Sequence, residues 1–195
     1  MTLTRILAAE DDYTHVHSER VTVISLALAD ELSFDPCDTA TLQVSALLHD
    51  IGKVAVPGRI LNKPGRLTEE EFDEIRKHPA TGARFVGRLK RLPRVIEGIL
   101  HHHERYDGLG YPDGIAGEAI PLVARIISVA DAFDAMISDR PYRRGLSTPA
   151  AVDELMHNRG TQFDTRIVEG FGRAYRAGKI LPILNRSLSL ATPLP

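Results

Sequence analysis

The chain has 195 residues, of which 43% are hydrophobic and 26% charged, with a formal net charge of −2 at pH 7. This size and composition are typical of one soluble domain, and the near balance of charges argues against the broad basic surface that binds polymeric nucleic acid. Cys37 is the only cysteine, which excludes an internal disulfide and any zinc site with two thiolates, and fits a cytoplasmic protein.

The spacing of apolar residues predicts helices along nearly the whole chain, because apolar side chains recur every three or four positions. Asp35 and Pro36 provide a cap and a first residue for one helix, and Thr68 with Glu71 forms a capping box for the next. Pro79 should end that helix near residue 78. The predicted helices cover residues 17–32, 36–50, 68–78, 79–90, 93–102, 122–138, 149–158 and 164–177.

No segment shows the alternation of a strand, so the predicted fold is an all-α, single-domain bundle of seven or eight helices. An irregular loop is expected from about residue 104 to 121. We expect a lead-in over residues 1–11, the domain over 12–184 and a loosely ordered tail over 185–195. No apolar stretch approaches the ~18 residues of a membrane span, and we expect no membrane contact and no fused sensory domain.

The segment LLHDIGK places His49 and Asp50 at the end of a strongly apolar helix. Burying a carboxylate there is costly unless it is paired or binds a cation, so the pair suggests a metal site. Lys53 would lie on the same face if the helical turn continues through Gly52, and a cation beside metal ligands suits a phosphate substrate. Taken alone, the dipeptide fits a solvated helix end equally well.

Other residues of ligand type occur at four further places in the sequence. They are His17, which precedes Arg20 by one turn, His78, the run His101 to His103, and the pair Asp131 and Asp134. Taken alone, a histidine at such a position more often interacts only with the dipole of a helix end, and an aspartate more often lies on a solvated helix face. Together they can converge inside a bundle, where inward carboxylates and histidines are known to hold two metals.

The three consecutive histidines cannot all serve one compact site. Successive side chains of a helix are about 100° apart, so His101 and His103 point nearly opposite ways. Two adjacent members can serve, and the spacing leaves both pairs, 101–102 and 102–103, open.

Four segments resemble the HD-GYP family, a branch of the metal-dependent HD phosphohydrolases that cleave cyclic di-GMP. The resemblance covers about residues 12–172 and includes the tripeptide Gly110, Tyr111 and Pro112 that names the family. The segments are LLHDIGKVAVPGRILNKPGRLTEEEF, KHPATGARFV, HHERYDGLGYPDGIAGEAIP and ARIISVADAFDAMISDRPYRRG.

The resemblance implies roles for individual residues. Asp50 would bridge two metals, and Lys53 would lie near the scissile phosphate and act with Asp50 in catalysis. Arg140 and Arg143 would bind the phosphates, and the loop with Gly110, Tyr111 and Pro112 would border the substrate. The implied metal ligands are His17, His49, Asp50, His78, His102, His103 and Asp131.

The resemblance also bears on the metals. Relatives with three metals usually carry a glutamate four residues before the first histidine, whereas this chain has Tyr13, so we expect two divalent ions. Tyr106 replaces a common tryptophan and keeps an aromatic ring. A ligand set of nitrogen and oxygen suits iron, our first choice, or manganese, and also admits zinc, cobalt or nickel.

The predicted function is hydrolysis of cyclic di-GMP to linear pGpG, with GMP as a further product to be tested. Two cations about 3.5–4 Å apart can share a hydroxide for in-line attack and stabilise the departing oxygen. One alternative is an enzyme for a nucleotide monophosphate or for another cyclic dinucleotide, such as cyclic GMP-AMP. Another is a non-catalytic signalling module. Diguanylate cyclase domains and a second copy of the chain are further partner hypotheses.

Overall fold

The computed structural model describes residues 12–88, 92–139, 144–180 and 182. Within these ranges the chain forms nine α-helices and two short 3₁₀ helices, at Ile51–Ala55 and Gly117–Ala119. The α-helices are α1 (Asp12–Glu31), α2 (Pro36–Leu48), α3 (Gly58–Leu61), α4 (Glu69–Arg76), α5 (His78–Gly87), α6 (Pro93–His101), α7 (Leu122–Ile137), α8 (Thr148–His157) and α9 (Thr165–Arg176).

The all-α prediction is confirmed, and no strand occurs in the described ranges beyond one isolated bridge between Arg159 and Phe163. Within those ranges no helix is both long and apolar enough to cross a bilayer. The helix predicted over residues 36–50 instead ends at Leu48. There the chain leaves α-helical geometry at Asp50 and continues as a tighter 3₁₀ helix that includes Lys53.

Local sequence signals account for the ends of several helices. The Asp35 carboxylate accepts a hydrogen bond from the backbone of Cys37, and Thr68 and Glu71 form the predicted capping box. Lys77 ends α4 and also precedes the first residue of α5. Consequently His78 lies at a sharp break between two helices, where its side chain can turn into the protein.

The apolar side chains form two buried clusters. The larger one joins α1, α2, α7, α8 and α9, with Phe133 packed against Phe171 at its centre. The smaller one, which includes Ile51 and Ile99, joins the end of α2 and the 3₁₀ helix to α5 and α6. Because α2 contributes to both clusters, the end of α2 is held firmly in place.

Gly52 allows the 3₁₀ helix to lie against α5. A Cβ atom at this position would overlap the carbonyl oxygen of His78 and lie 2.6 Å from the backbone nitrogen of Gly82. Both obstacles are backbone atoms, which cannot move without shifting α5. The absence of a side chain at Gly52 therefore keeps Asp50 and His78 close together.

We expect Gly52→Ala to lower the free energy of unfolding of the chelator-treated protein by about 3 kcal/mol, as an overpacked interior does. The measurement is urea denaturation followed by circular dichroism. Gly58→Ala is the control, because a Cβ there has no neighbour closer than 3.9 Å. Equal stability of the two variants would contradict the close approach.

Candidate metal centre

Six of the predicted ligands form two groups, and the groups share Asp50. In each group one nitrogen or oxygen atom per residue lies within 4.8 Å of the corresponding atoms of the others. All six side chains except that of His103 are buried. The first group is His17, His49 and Asp50, and the second is Asp50, His78, His102 and His103.

The two oxygens of the Asp50 carboxylate face different groups. Oδ1 lies 3.2 Å from Nε2 of His78. Oδ2 lies 3.3 Å from Nε2 of His49 and 3.8 Å from Nε2 of His17. The Nζ of Lys53 also donates to Oδ2, at 2.6 Å. One carboxylate is thus able to contact two cations at once.

Three of the imidazoles are oriented by the backbone of the helix that precedes them. In each, Nδ1 lies 2.7 Å from the carbonyl oxygen three residues earlier. Because a carbonyl can only accept, Nδ1 is the donor, and Nε2 is the nitrogen that the neutral ring offers to a cation. The pairs are His49 with Ala46, His78 with Ile75, and His102 with Ile99.

Two buried polar atoms of the centre, Nε2 of His49 and Oδ1 of Asp50, have no hydrogen-bond partner among the described residues. An unsatisfied buried acceptor costs about 1–3 kcal/mol. Both atoms are the type of ligand that a divalent cation binds, and both face the interior of the groups. The donor set therefore fits a metal ion.

Asp131 reaches the first group from α7. Its Oδ1 lies 3.0 Å from Nε2 of His17 and 4.0 Å from Nε2 of His49. The side chain is 19% exposed, whereas that of Asp50 is only 3% exposed. Asp131 therefore lies at the edge of the centre that opens to solvent.

Opposite charges in and around the first group shift the pKa values of its members. Burial disfavours the charged form of His17, but hydrogen bonds to Asp131 and Asp134 outweigh it and raise the pKa to about 10. Burial raises the pKa of Asp50, but Lys53 and His49 counter this and hold that pKa well below its ordinary value. The pKa of Asp131 is also lowered: burial opposes ionisation, and His17 outweighs it.

The second group favours neutral imidazoles. Burial is the main cause that lowers the pKa of His102 well below its ordinary value, and the neighbouring His103 adds to the effect. Burial likewise lowers the pKa of His103 to about 3. Neutral imidazole is the form that coordinates a metal.

The structure separates the three consecutive histidines as the resemblance implied. His102 and His103 enter the second group, whereas Nε2 of His101 lies 3.0 Å from Oδ2 of Asp113. Nδ1 of His101 donates to the carbonyl of Glu97. The resemblance does not include His101 among the ligands, and in the structure His101 contacts the irregular loop.

The loop with Gly110, Tyr111 and Pro112 borders the second group. The Tyr111 ring stacks on His103, with ring centroids 4.9 Å apart and planes inclined by 28°, and the Tyr111–Pro112 peptide is cis. A Cβ at Gly110 would lie 2.5 Å from the Cα of Glu104, so the loop can approach that backbone only with glycine there.

Sequence reasoning missed Glu104, and it named Asp134 and Arg20 without giving them a role in the centre. Glu104 is buried, and its Oε1 accepts hydrogen bonds from the backbone nitrogens of Asp113 and Gly114. Asp134 binds Nδ1 of His17 and the guanidinium of Arg20. An acidic residue directly after three histidines, and a second Asp one turn after Asp131, were the available signals.

The structure describes only one of the three basic residues that are predicted to contact phosphate. The side chain of Lys53 is 31% exposed, so its Nζ is accessible beside Asp50. The predictions for Arg140 and Arg143 lie outside the described residues.

Comparison with known proteins places this centre in a family. The family model described as HD domain matches residues 1–167. A curated cyclic di-GMP phosphodiesterase of Pseudomonas aeruginosa is 43% identical over 86% of this chain and 41% of its own length. A 3'3'-cGAMP-specific phosphodiesterase of Vibrio cholerae is 38% identical over 91% of this chain and 38% of its own length. This chain thus spans less than half the length of these relatives.

A solved structure supports the same grouping. An HDG"Y"P protein from Bdellovibrio bacteriovorus superposes with a TM-score of 0.70 at 28% identity, over 84% of this chain and 52% of its own. The resemblance seen in the sequence is thereby confirmed. The chain belongs to the HD domain family, and within it to the HD-GYP type.

Proposed function

We propose that this domain is a metal-dependent phosphodiesterase that hydrolyses cyclic di-GMP to linear pGpG with two divalent ions. The observation that carries the proposal is the sharing of Asp50 by two ligand groups. A pair of cations held by a common carboxylate supplies Lewis acidity and an activated water for in-line displacement at a phosphodiester. The named activities of the curated relatives support the choice of substrate class.

Different residues of the chain would bind the metals and the phosphate. His17, His49 and Asp131 would hold one ion and His78, His102 and His103 the other, with Asp50 between them. Lys53, next to Asp50, would neutralise charge on the scissile phosphate without transferring a proton. Arg140 and Arg143 would bind phosphate on the basis of the sequence resemblance.

We propose iron as the metal, partly from the family resemblance, with manganese as the alternative. Among the described residues of the two groups only imidazole nitrogens and carboxylate oxygens are present, and this set suits both metals. A homodimer and contacts with diguanylate cyclase domains stay predictions.

A second candidate substrate is 3'3'-cGAMP, because a relative that is 38% identical carries that specificity in its name. The two substrates share the phosphodiester group and differ in one base. The deciding experiment is anaerobic purification, elemental analysis of the same sample and chromatography of products from both dinucleotides. Two equivalents of metal and pGpG as the main product are expected, and a metal-loaded protein that cleaves neither substrate would overturn the proposal.

Asp50→Ala should lose both metal ions, because each ligand group loses its shared member. Turnover of cyclic di-GMP should then fall below detection. The measurements are metal content after dialysis and product formation, with circular dichroism to verify folding. A folded Asp50→Ala protein that keeps two metals and full turnover would rule out the bridging role.

Lys53→Met should lower kcat by about 100-fold while the metal content stays at two equivalents, because removing one group that stabilises transition-state charge has an effect of that size. Lys63→Met is a matched control: Lys63 is also 31% exposed and forms a 2.6 Å ion pair, with Glu71. Steady-state kinetics on both variants is the test. Equal kcat values for the two variants would show that Lys53 has no role in the reaction.

Metal binding should release about one proton from His17 at pH 8. The folded, metal-free protein keeps this imidazole charged below about pH 10 because its pKa is raised, whereas coordination requires a free Nε2. Apparent metal affinity should therefore rise as the pH increases from 7 towards 10. Calorimetry in two buffers of different ionisation enthalpy counts the protons, and His17→Gln should release about one fewer.

A further inference from the structure

His17 is oriented differently from the other buried imidazoles of the centre. His49, His78 and His102 each donate Nδ1–H to a backbone carbonyl three residues earlier. Nδ1 of His17 instead lies 2.7 Å from Oδ2 of Asp134, a residue 117 positions away in the sequence. The orientation of His17 thus depends on a side chain that substitution can remove.

The Asp134 carboxylate is held in place by Arg20. It is fully buried, with 0% of its surface exposed. Nε of Arg20 donates to Oδ1 at 2.6 Å, and Nη2 donates to Oδ2 at 2.9 Å. This two-pronged contact fixes the plane of the carboxylate as well as its position.

Arg20 also connects the pair to the end of α7. Its Nη2 donates to Oγ of Ser138 at 2.7 Å. His17 and Arg20 lie one turn apart on α1, whereas Asp134 lies in the last turn of α7 and Ser138 directly follows that helix. The four side chains therefore lock α1 to α7 at the level of the metal centre.

This arrangement fixes the tautomer in which His17 would bind a metal. A carboxylate that accepts from Nδ1–H keeps the proton on that nitrogen and leaves Nε2 as the coordinating atom. Nε2 of His17 lies 3.0 Å from Asp131 and 3.8 Å from Asp50. Only the first of the two ligand groups contains His17.

We infer that Asp134, held by Arg20, is a positioning residue that controls the affinity for one of the two metal ions, the one in the group of His17, His49 and Asp50. The inference rests on the proposed two-metal function. The ion in the group of His78, His102 and His103 is independent of this contact, because two of its histidines are oriented by backbone.

Asp134→Asn is the direct test. Both oxygens of Asp134 accept from Arg20, so either orientation of the new amide turns an N–H group towards a guanidinium donor. Removing an outer partner of a metal ligand typically weakens metal affinity 10–100-fold. One of the two Mn²⁺ ions should bind about 10–100-fold more weakly, while the affinity for the other stays within about threefold of its unsubstituted value.

The readouts are Mn²⁺ binding isotherms and the electron paramagnetic resonance signal of the bound ions. The variant with one equivalent of Mn²⁺ should show an isolated ion, and the signal of a coupled pair should appear only at much higher Mn²⁺ concentration than in the unsubstituted protein. Arg20→Lys keeps the positive charge but loses the two-pronged contact, and should shift the same ion in the same direction by a smaller factor. This second variant keeps the test open if Asp134→Asn does not fold.

Asp164→Asn is the matched control. Asp164 is also buried and accepts from an arginine, Arg125, at 2.6 Å, but it belongs to neither ligand group. It should bind both Mn²⁺ ions as the unsubstituted protein does, whatever its loss of stability.

The outcomes separate the two claims. If the unsubstituted protein binds two ions and Asp134→Asn binds both equally well, the inference fails and the proposed function stands. A folded Asp134→Asn protein that loses both ions also overturns the selective role. If the unsubstituted protein binds fewer than two ions, the two-metal function fails, and this inference fails with it.

Discussion

The burial of one carboxylate, that of Asp50, constrains the rest of the structure. The effective cost of placing a charged group in the interior is several kcal/mol, and the side chain of Asp50 is 97% buried. In the metal-free protein Lys53 contributes an ammonium group at 2.6 Å, and imidazoles approach both oxygens. The sharp turn after α2, the glycine at position 52 and the helix break at His78 all serve to bring compensating groups to this one side chain.

The backbone at the helix ends explains why histidines can surround Asp50. The last carbonyls of a helix lack partners within that helix. His49, His78 and His102 each directly follow or closely follow the end of a helix and donate to one of those carbonyls. A histidine at a helix end therefore gives a terminal carbonyl its hydrogen bond, and the same bond fixes the tautomer in which the ring could bind a metal. One contact thus stabilises the helix end and orients a candidate ligand. His17 lies within α1, and its Nδ1 is hydrogen-bonded to Asp134 instead.

These differences explain what the sequence could and could not predict. Apolar spacing and the caps at Asp35 and Thr68 placed most of the helices to within a few residues, although α1 begins at Asp12 rather than at residue 17 and α3 was not predicted. The convergence of the histidines followed from their positions at helix ends and from the family resemblance. The contact of Asp134 with Arg20 spans 114 residues and has no local pattern, and the buried Glu104 acts through backbone atoms nine and ten residues later. Only the folded chain reveals such partners.

The geometry also limits where substrate selectivity can arise. Under the proposed function, cyclic di-GMP and 3'3'-cGAMP would present the same phosphodiester to the metals, so the buried residues of the two groups would not distinguish them. Discrimination must come from side chains on the open edge, where Lys53 and Asp131 are partly exposed and Tyr111 stacks on His103. Because Tyr111 stacks on His103, a member of the second group, and the loop that carries Tyr111 is anchored by Glu104, a change in this loop would also disturb the second group. Under the proposed function, a substitution in this loop would therefore affect the metal centre together with substrate binding, as would a substitution of Lys53, which contacts Asp50.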